Sequence, residues 1–526
     1  MLRKSWYFLQ NSVAGGAVII AVFSILSRVF GLLRDRLLSS NFGAGQTLDA
    51  YYAAFRLPDL IFNTLVLGAL SSAFIPIFLS YWQRNKDEAW RIANSVLNVL
   101  LILISGLVIV LFIFAPFFVY LMVPGFNQPT RLLTINLTRI MLISVLFFTF
   151  SNLFGGILNS FRRFLAYSLA PVMYNLGIIF GILFLVPPFG LAGLAWGVVF
   201  GAFLHLLVQW IAAHRTGFRW QLALDYLHPG VKKIGLLMLP RCFGLAISQF
   251  NLIVTTLIAS FLVVGAVAIY NLAFNLISFP INIFGTSLAI AVFPVFSQTL
   301  INGQIKEFIY HFSKTVRRIL YLIIPISFIY ILLRAQIVRL VLGAGLFSWR
   351  DTVLTAEAVG FFSLSLFAQA LIPVLARAFY AQQDTKTPVK VALICLVINL
   401  VGGIILAQLM GIGGLALAFS LSSIINLALL ISILNRRFGN LDLKKIINSL
   451  IKIIFFSILM AGIVQLVKYQ IAPLVNMQTF VGVLIQFLCA VGIGGLVYLI
   501  LSLIFRFEEV IIIKEQVLRL IKRKAD

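Results

Sequence analysis

"YYAAF" at residues 51–55 returns as "YNLAF" at residues 270–274, an offset of 219. This pair decides the fold because three further landmarks return at nearly the same spacing and in the same order. "AFIPIF" at 73–78 is answered by "VFPVF" at 292–296, with Pro76 matched to Pro294 at an offset of 218. "NSFRRF" around Phe161, with Pro171 beyond it, is answered by "RAFYAQQDTKTP" around Phe379 with Pro388, at offsets of 218 and 217. "GLAGLA" at 190–195 is answered by "GIGGLA" at 411–416, an offset of 221. One such match could be chance in so apolar a chain, but four collinear ones imply an internal duplication.

The repeating unit is a set of membrane helices. The chain is 62% hydrophobic and 10% charged over 526 residues, and apolar runs of about twenty residues, enough to cross ~30 Å of hydrocarbon, recur from end to end. Hydropathy and Gly, Pro and charge punctuation place fourteen spans at 13–40, 48–81, 92–123, 132–159, 168–188, 190–213, 234–262, 266–298, 319–342, 355–380, 389–408, 412–435, 447–470 and 477–505. The offset covers six of them, an even number, so the two copies run parallel. The expected fold class is an all-α polytopic membrane protein: two parallel six-helix repeats plus two extra C-terminal helices. The corresponding segments are 1–215, 216–440, 441–505 for spans 13 and 14, and a basic tail at 506–526. Duplicated halves of this kind are a transporter architecture with a substrate path between them.

The net charge of +25 is a topology signal. Lys and Arg sit in short gaps on one side of the spans, including Arg84, Lys86, Arg162, Arg163, Lys232, Lys233, Arg436 and Arg437, while the opposite gaps are nearly bare. Both termini are therefore expected in the cytoplasm, and no soluble basic domain is left to bind nucleic acid. Arg3 and Lys4 ahead of an apolar run resemble a signal peptide, but no cleavage site follows, so a retained first helix is expected. Cys242, Cys395 and Cys489 lie in apolar segments and the four histidines are scattered, which indicates neither disulfides nor a metal site. No clustered carboxylates, nucleophile with a base, or Gly-rich phosphate loop is present, so neither catalysis, a cofactor nor bound ATP is expected.

The charges inside span 1 are the functional signal. "SRVFGLLRDRL" at 27–37 carries Arg28, Arg34, Asp35 and Arg36, and a guanidinium at mid-membrane costs about 2.5–3.5 kcal/mol even on the lenient insertion scale. On an ideal helix Arg28 and Asp35 share a face, while Arg34 points roughly 120° from Arg28. A bend at Gly31 would bring both arginines to one path. The alternative is that Arg34 and Arg36 reach the outer surface and pair with Asp35 and Asp49. Arginine suits phosphate or pyrophosphate, because its planar fork donates two parallel hydrogen bonds and keeps its charge. Arg56 and Asp59 follow in span 2. Arg241, in "LPRCFG", echoes the "LSRVFG" around Arg28 at an offset of 213, or else marks the inner border of span 7.

"SRVFGLLRDRLLSSNFGAGQTLDAYYAAFRLPDL", "GALSSAFIPIFLSY" and "ARAFYAQQDTKTPVK" together resemble the MurJ (MviN) family of lipid II flippases, in the multidrug/oligosaccharidyl-lipid/polysaccharide exporter superfamily, over essentially the whole chain. The resemblance implies that a polyprenyl-pyrophosphate-linked peptidoglycan precursor moves from the inner to the outer leaflet of the cytoplasmic membrane. It also implies that Arg28 and Arg34 line a cationic cavity, that Asp49 of the T-D-A pattern is functional, and that spans 13 and 14 hold the lipid tail. The sequence departs from the family at Ile61, Phe62 and Asn63, and again at Asn275 and Ser278, where charged residues are usual. The expected substrate-binding set is Arg28, Arg34, Asp49, Arg56 and Arg241, with membrane lipids and cell-wall synthesis enzymes as further partners. The competing readings are an exporter of another polyprenyl-linked oligosaccharide and a non-transporting scaffold for cell-wall enzymes.

Overall fold

The computed structural model describes residues 13–66 and 74–510, and every element among them is helical. The chain resolves into two compact units, Met1–Ala268 with Ala344–Phe347, and Ile269–Gly343 with Ser348–Asp526. The unit boundary does not follow the sequence boundary expected near residue 215, because the first helix of the second repeat groups with the first unit.

In the first unit, α1 (Val13–Phe42) is a 30-residue helix that ends on a left-handed glycine, Gly43, whose N–H bonds back to Ser39 O. Two short helices follow, α2 (Gln46–Ala54) and α3 (Arg56–Ile61), then a π turn at Phe62–Val66. Next come α4 (Ile75–Trp82), α5 (Lys86–Ile113), α6 (Ala115–Met122) and α7 (Gln128–Ser160). Asn85 caps α5 by accepting from Asp87 and Glu88 N–H, and Asn127 caps α7 by accepting from Thr130 N–H. Then α8 (Phe164–Phe180) runs through a π turn at Gly181–Leu185 into α9 (Val186–Phe189), and α10 (Ala192–His214) packs back on it. A Cβ on Gly177 would overlap Gly201, and one on Gly181 would overlap Gly197, so these helices touch backbone to backbone, the small-residue packing that membranes favour. An irregular segment then leads to α11 (Pro229–Ser260), whose first turn is capped by His228. At the ends of α4, α5 and α7 an aromatic cluster forms from Phe78, Trp82, Trp90 and Phe161, with ring centroids 4.8–6.0 Å apart.

The second unit takes up α12 (Ala266–Pro280), which begins in the first, and continues through a π turn at Ile281–Thr286 into α13 (Ser287–Ile301). It then comprises α14 (Ile305–Leu332), α15 (Arg334–Val341), α16 (Trp349–Ser363), α17 (Leu366–Ala381), α18 (Lys386–Phe438), α19 (Leu443–Ile471) and α20 (Phe480–Ile504). α19 and α20 pack as a hairpin, α19 against α14 and α20 against α15. Polar ties fix them: Gln336 donates to Gln486, which donates to Lys468 O, and Tyr498 donates to Tyr321 O. Buried Arg317 donates to both Glu508 and Glu509 beyond the end of α20.

Several backbone irregularities recur in the two units at nearly the same spacing, although the π turn at Gly181–Leu185 has no counterpart within α18. The π turn at Phe62–Val66 recurs at Ile281–Thr286. Left-handed Arg162 recurs as Gln383, Gly190 as Gly411, and Gly217 as Gly439. Arg163 N–H bonds Leu158 O as Asp384 N–H bonds Phe379 O. These landmarks also revise one sequence match: the turn after Phe161 corresponds to the turn after Gln382, so the aligned Phe379 lies one helical turn too early.

Among the described residues nine helices are long and apolar enough to cross a membrane, or up to eleven if two bent pairs count as single spans. The fourteen expected ranges do not map one to one onto these. Span 2 is broken into α2, α3, a π turn and α4, with 67–73 outside the described residues. The expected spans at 389–408 and 412–435 lie in one assigned helix, α18, interrupted at Gly411 (φ 58°, ψ −132°).

Candidate functional site

The charged residues of α1 to α3 lie in the first unit, and the structure separates them by their partners. The Arg34 guanidinium donates to Asp35 Oδ1 through Nε at 3.0 Å and Nη2 at 2.8 Å, and to Asn175 Oδ1 through Nη1 at 3.2 Å. Asp35 is buried and Arg34 is one-fifth exposed. Asn175, on α8, also donates to Ser27 O and Ser27 Oγ at 3.2 and 3.3 Å, and to Pro171 O in its own helix. One amide side chain thus fastens α1 to α8 on both sides of Arg28. The arrangement needs no bend: α1 is helical throughout, and a Cβ at Gly31 would meet only Asn175 Oδ1, at 3.9 Å. Arg34 reaches α8 through Asn175.

Arg28, six residues earlier, is half-buried and has no hydrogen bond or ion pair among the described residues. Its guanidinium donors are thus uncommitted among the described residues.

Asp49 was expected among the substrate ligands, and its surroundings argue for a different task. It is 4% exposed, and its two oxygens accept from Gly265 N–H at 2.6 Å and Ala268 N–H at 2.8 Å. These are orphan donors at the start of α12. Gly265 precedes that helix at φ 92°, and a Cβ there would overlap Ala44 O, so no side chain can stand at the cap position. Asp49 supplies the missing cap from α2, favourably placed at the positive end of the helix dipole.

Arg56 is likewise committed. It is 7% exposed and donates from Nε to Thr256 Oγ1 of α11 at 2.7 Å, with Asp59 in electrostatic reach. It is a tether between α3 and α11. The Arg241 side chain lies outside the described residues, although its backbone belongs to α11. The residues that sequence reading missed are Asn175 and Thr256. The only signal for Asn175 was an amide four residues past Pro171 in an apolar run.

Among the described residues no group of three or more His, Cys, Asp or Glu could hold a metal. What α1 offers chemically is a guanidinium at Arg28 with no hydrogen bond or ion pair among the described residues, and an ion-paired one at Arg34 six residues on, side chains of a kind suited to an anion.

The family model described as lipid II flippase MurJ matches residues 38–486. The chain is similar to the lipid II flippase MurJ of Burkholderia cenocepacia, 30% identical over 80% of this chain and 83% of that one. Among solved structures it is similar to a lipid II flippase MurJ in an inward closed conformation, with a TM-score of 0.77 and 26% identity over 93% of this chain and 98% of that one. It shares its fold with an inward-facing multidrug resistance MATE family transporter of the MOP superfamily, TM-score 0.67, 15% identity, over 81% of this chain and 99% of that one.

Proposed function

Because the chain belongs to the lipid II flippase MurJ family, we propose that it moves lipid II from the inner to the outer leaflet of the cytoplasmic membrane by alternating access, for peptidoglycan synthesis. It is a multi-pass inner-membrane protein and acts as a transporter, with no catalytic step of its own. Both termini face the cytoplasm, as the one-sided Lys and Arg distribution favours. The helices form two parallel sets of six, supported by the matched π turns and left-handed residues. The hairpin of α19 and α20, outside the repeat, holds the polyprenyl tail against its exposed apolar faces. Enzymes of cell-wall synthesis are its functional partners.

The observation that carries the substrate site is Arg28. Its neighbours are fixed by Asn175 while its own donors are left to a ligand. Arg28 is the primary contact for the pyrophosphate, Arg34 adds positive potential while remaining paired to Asp35, and Asp49 and Arg56 hold the helix ends that position them. The test is rescue of cells depleted of their own lipid II flippase. Wild-type chain is expected to restore lipid II export, Arg28→Ala to insert normally but fail, and Arg28→Lys to rescue in part. Full rescue by Arg28→Ala would remove the ligand assignment and favour a scaffold; failure of the wild-type chain would point to another polyprenyl-linked glycan.

A further inference from the structure

The irregular segment 216–228, between α10 and α11, is absorbed neither by the transport site nor by the helical core. Its backbone has little hydrogen bonding of its own and is held by polar side chains from α5. Asn94 donates to Arg219 O and accepts from Gln221 N–H. Asn98 donates to Gln221 O and Ala223 O, and Ser95 Oγ accepts from Asp225 N–H. All three side chains are buried, which explains why an apolar membrane helix carries "NSVLN" at 94–98. Phe218 is buried against Trp90 and Phe154, with centroids 5.7 and 5.3 Å away. At the far end Arg91 pairs with Asp225 at 3.0 Å, and His228 with Glu88 at 3.2 Å. The segment is thus fastened along its length.

What it presents outward is apolar. Trp220, Leu222, Leu224, Tyr226 and Leu227 are all more than half exposed, Leu222 by 84%. Trp220 keeps its indole N–H on Asn98 Oδ1 at 3.0 Å while its ring stays exposed. In water this would be a costly display. It follows directly on Trp210 and Ile211, exposed on the last turns of the membrane helix α10, so the apolar surface continues past the helix end. Arg215, Lys232 and Lys233 flank it, all exposed. Indole and phenol rings beside basic side chains are the composition of the membrane interface. Open backbone tolerates that depth only when its polar groups are answered, which the α5 side chains do.

We propose that segment 216–228 is an interfacial anchor that inserts Leu222 and Leu224 into the inner leaflet and binds acidic phospholipid head groups through Arg215, Lys232 and Lys233. This rests on the cytoplasmic placement of the α10 to α11 connection in the proposed topology. The anchor fixes the start of α11 at the bilayer surface.

The test uses the full chain in vesicles, with Leu224→Cys carrying a bimane label in a Cys489→Ser background. The host lipid is phosphatidylethanolamine, with a minor fraction of nitroxide-labelled phosphatidylglycerol or nitroxide-labelled phosphatidylcholine. The bimane is expected to be shielded from aqueous iodide and quenched several-fold more strongly by the phosphatidylglycerol. Replacing Arg215, Lys232 and Lys233 with Gln is expected to abolish that preference, leaving the two lipids quenching equally. With those charges in place, free access of iodide, or equal quenching by the two lipids, overturns the proposal. Lipid II flipping by the same vesicles is read separately. For the wild-type charges, absence of flipping with the lipid preference present counts against the transport reading alone, and absence of the preference with flipping present counts against the anchor alone. A denaturation midpoint equal to wild type shows that the charge variant is folded.

Discussion

Replacing Asp49 distinguishes a cap from a ligand. In Asp49→Ala the N–H groups of Gly265 and Ala268, bonded at 2.6 and 2.8 Å in the native chain, lose their acceptor in a place that is 4% exposed. A buried donor left unsatisfied costs about 1–3 kcal/mol, and loss of an N-cap costs about 1 kcal/mol with a range to 2. Some water will enter the space the carboxylate leaves, so the expected loss is about 2–4 kcal/mol. Asp49→Asn retains one carbonyl acceptor but turns an amide donor toward the other N–H, for about half that loss. The assay is denaturation of the purified protein in mild detergent, alongside lipid II binding in nanodiscs. The expected order of stability is wild type, Asp49→Asn, Asp49→Ala, with lipid II affinity of the still-folded fraction unchanged within about threefold. An Asp49→Ala protein that unfolds like wild type yet no longer binds lipid II would refute the cap and return Asp49 to the ligand set.

Two further outcomes follow from paired charges. Arg34→Ala strips the buried Asp35 carboxylate of its guanidinium, a loss of about 3 kcal/mol, while the double variant Arg34→Gln with Asp35→Asn is expected to recover part of it. If the double variant recovers stability but not flipping, Arg34 also meets the substrate; no recovery would mean that the ion pair is not what Arg34 contributes. On the α17 to α18 turn, burial raises the Asp384 carboxyl, but the Thr387 hydroxyl and N–H and the Arg437 guanidinium outweigh it and hold it down to about 2, against an ordinary 3.8. A carboxyl depressed on folding contributes stability above its unfolded pKa and loses it as pH falls toward the folded value. The gap in denaturation midpoint between wild type and Arg437→Gln, about 1 kcal/mol or less for so exposed a pair, should therefore be constant above pH about 4 and shrink toward pH 2. A gap that widens with acid would contradict the assignment.

The all-helical fold was legible in the apolar runs, and the proposed duplication rests on letters: Pro76 and Pro294, the glycines of 190–195 and 411–416. The turn around Arg162 and Gln383 was legible only approximately, since the sequence match followed a phenylalanine whereas the fold preserves the place where the chain reverses. In the site, Arg28 and Arg34 announced themselves by the cost of charge in an apolar run. Their partners did not. Asn175 lies 141 residues from Arg34, and Thr256 lies 200 residues from Arg56. The groups that hold Asp49 are backbone N–H donors, which every residue but proline carries and no letter reports. A carboxylate capping a distant helix and a carboxylate binding a ligand look alike in one dimension.

Geometry turns that ambiguity into an ordering. A charge taken into a membrane must be compensated, and where the fold supplies the partner the residue is accounted for without any substrate. Arg34 has Asp35 and Asn175, Arg56 has Thr256, and Asp49 has the first turn of α12. Arg28 stands between the two points at which Asn175 grips α1, has no hydrogen bond or ion pair among the described residues, and is only half-buried. In the proposed function that compensation is supplied by an anion that arrives. A transporter needs the second kind of site, one whose stabilisation is completed only by cargo and is given up when the cargo leaves. On the proposed reading, the charges that first appeared as one cluster on α1 to α3 divide into a ligand-facing Arg28 and a frame of ion pairs and caps. On that division, substitutions in the frame change stability first and flipping only through it, whereas substitutions at Arg28 change flipping with stability intact.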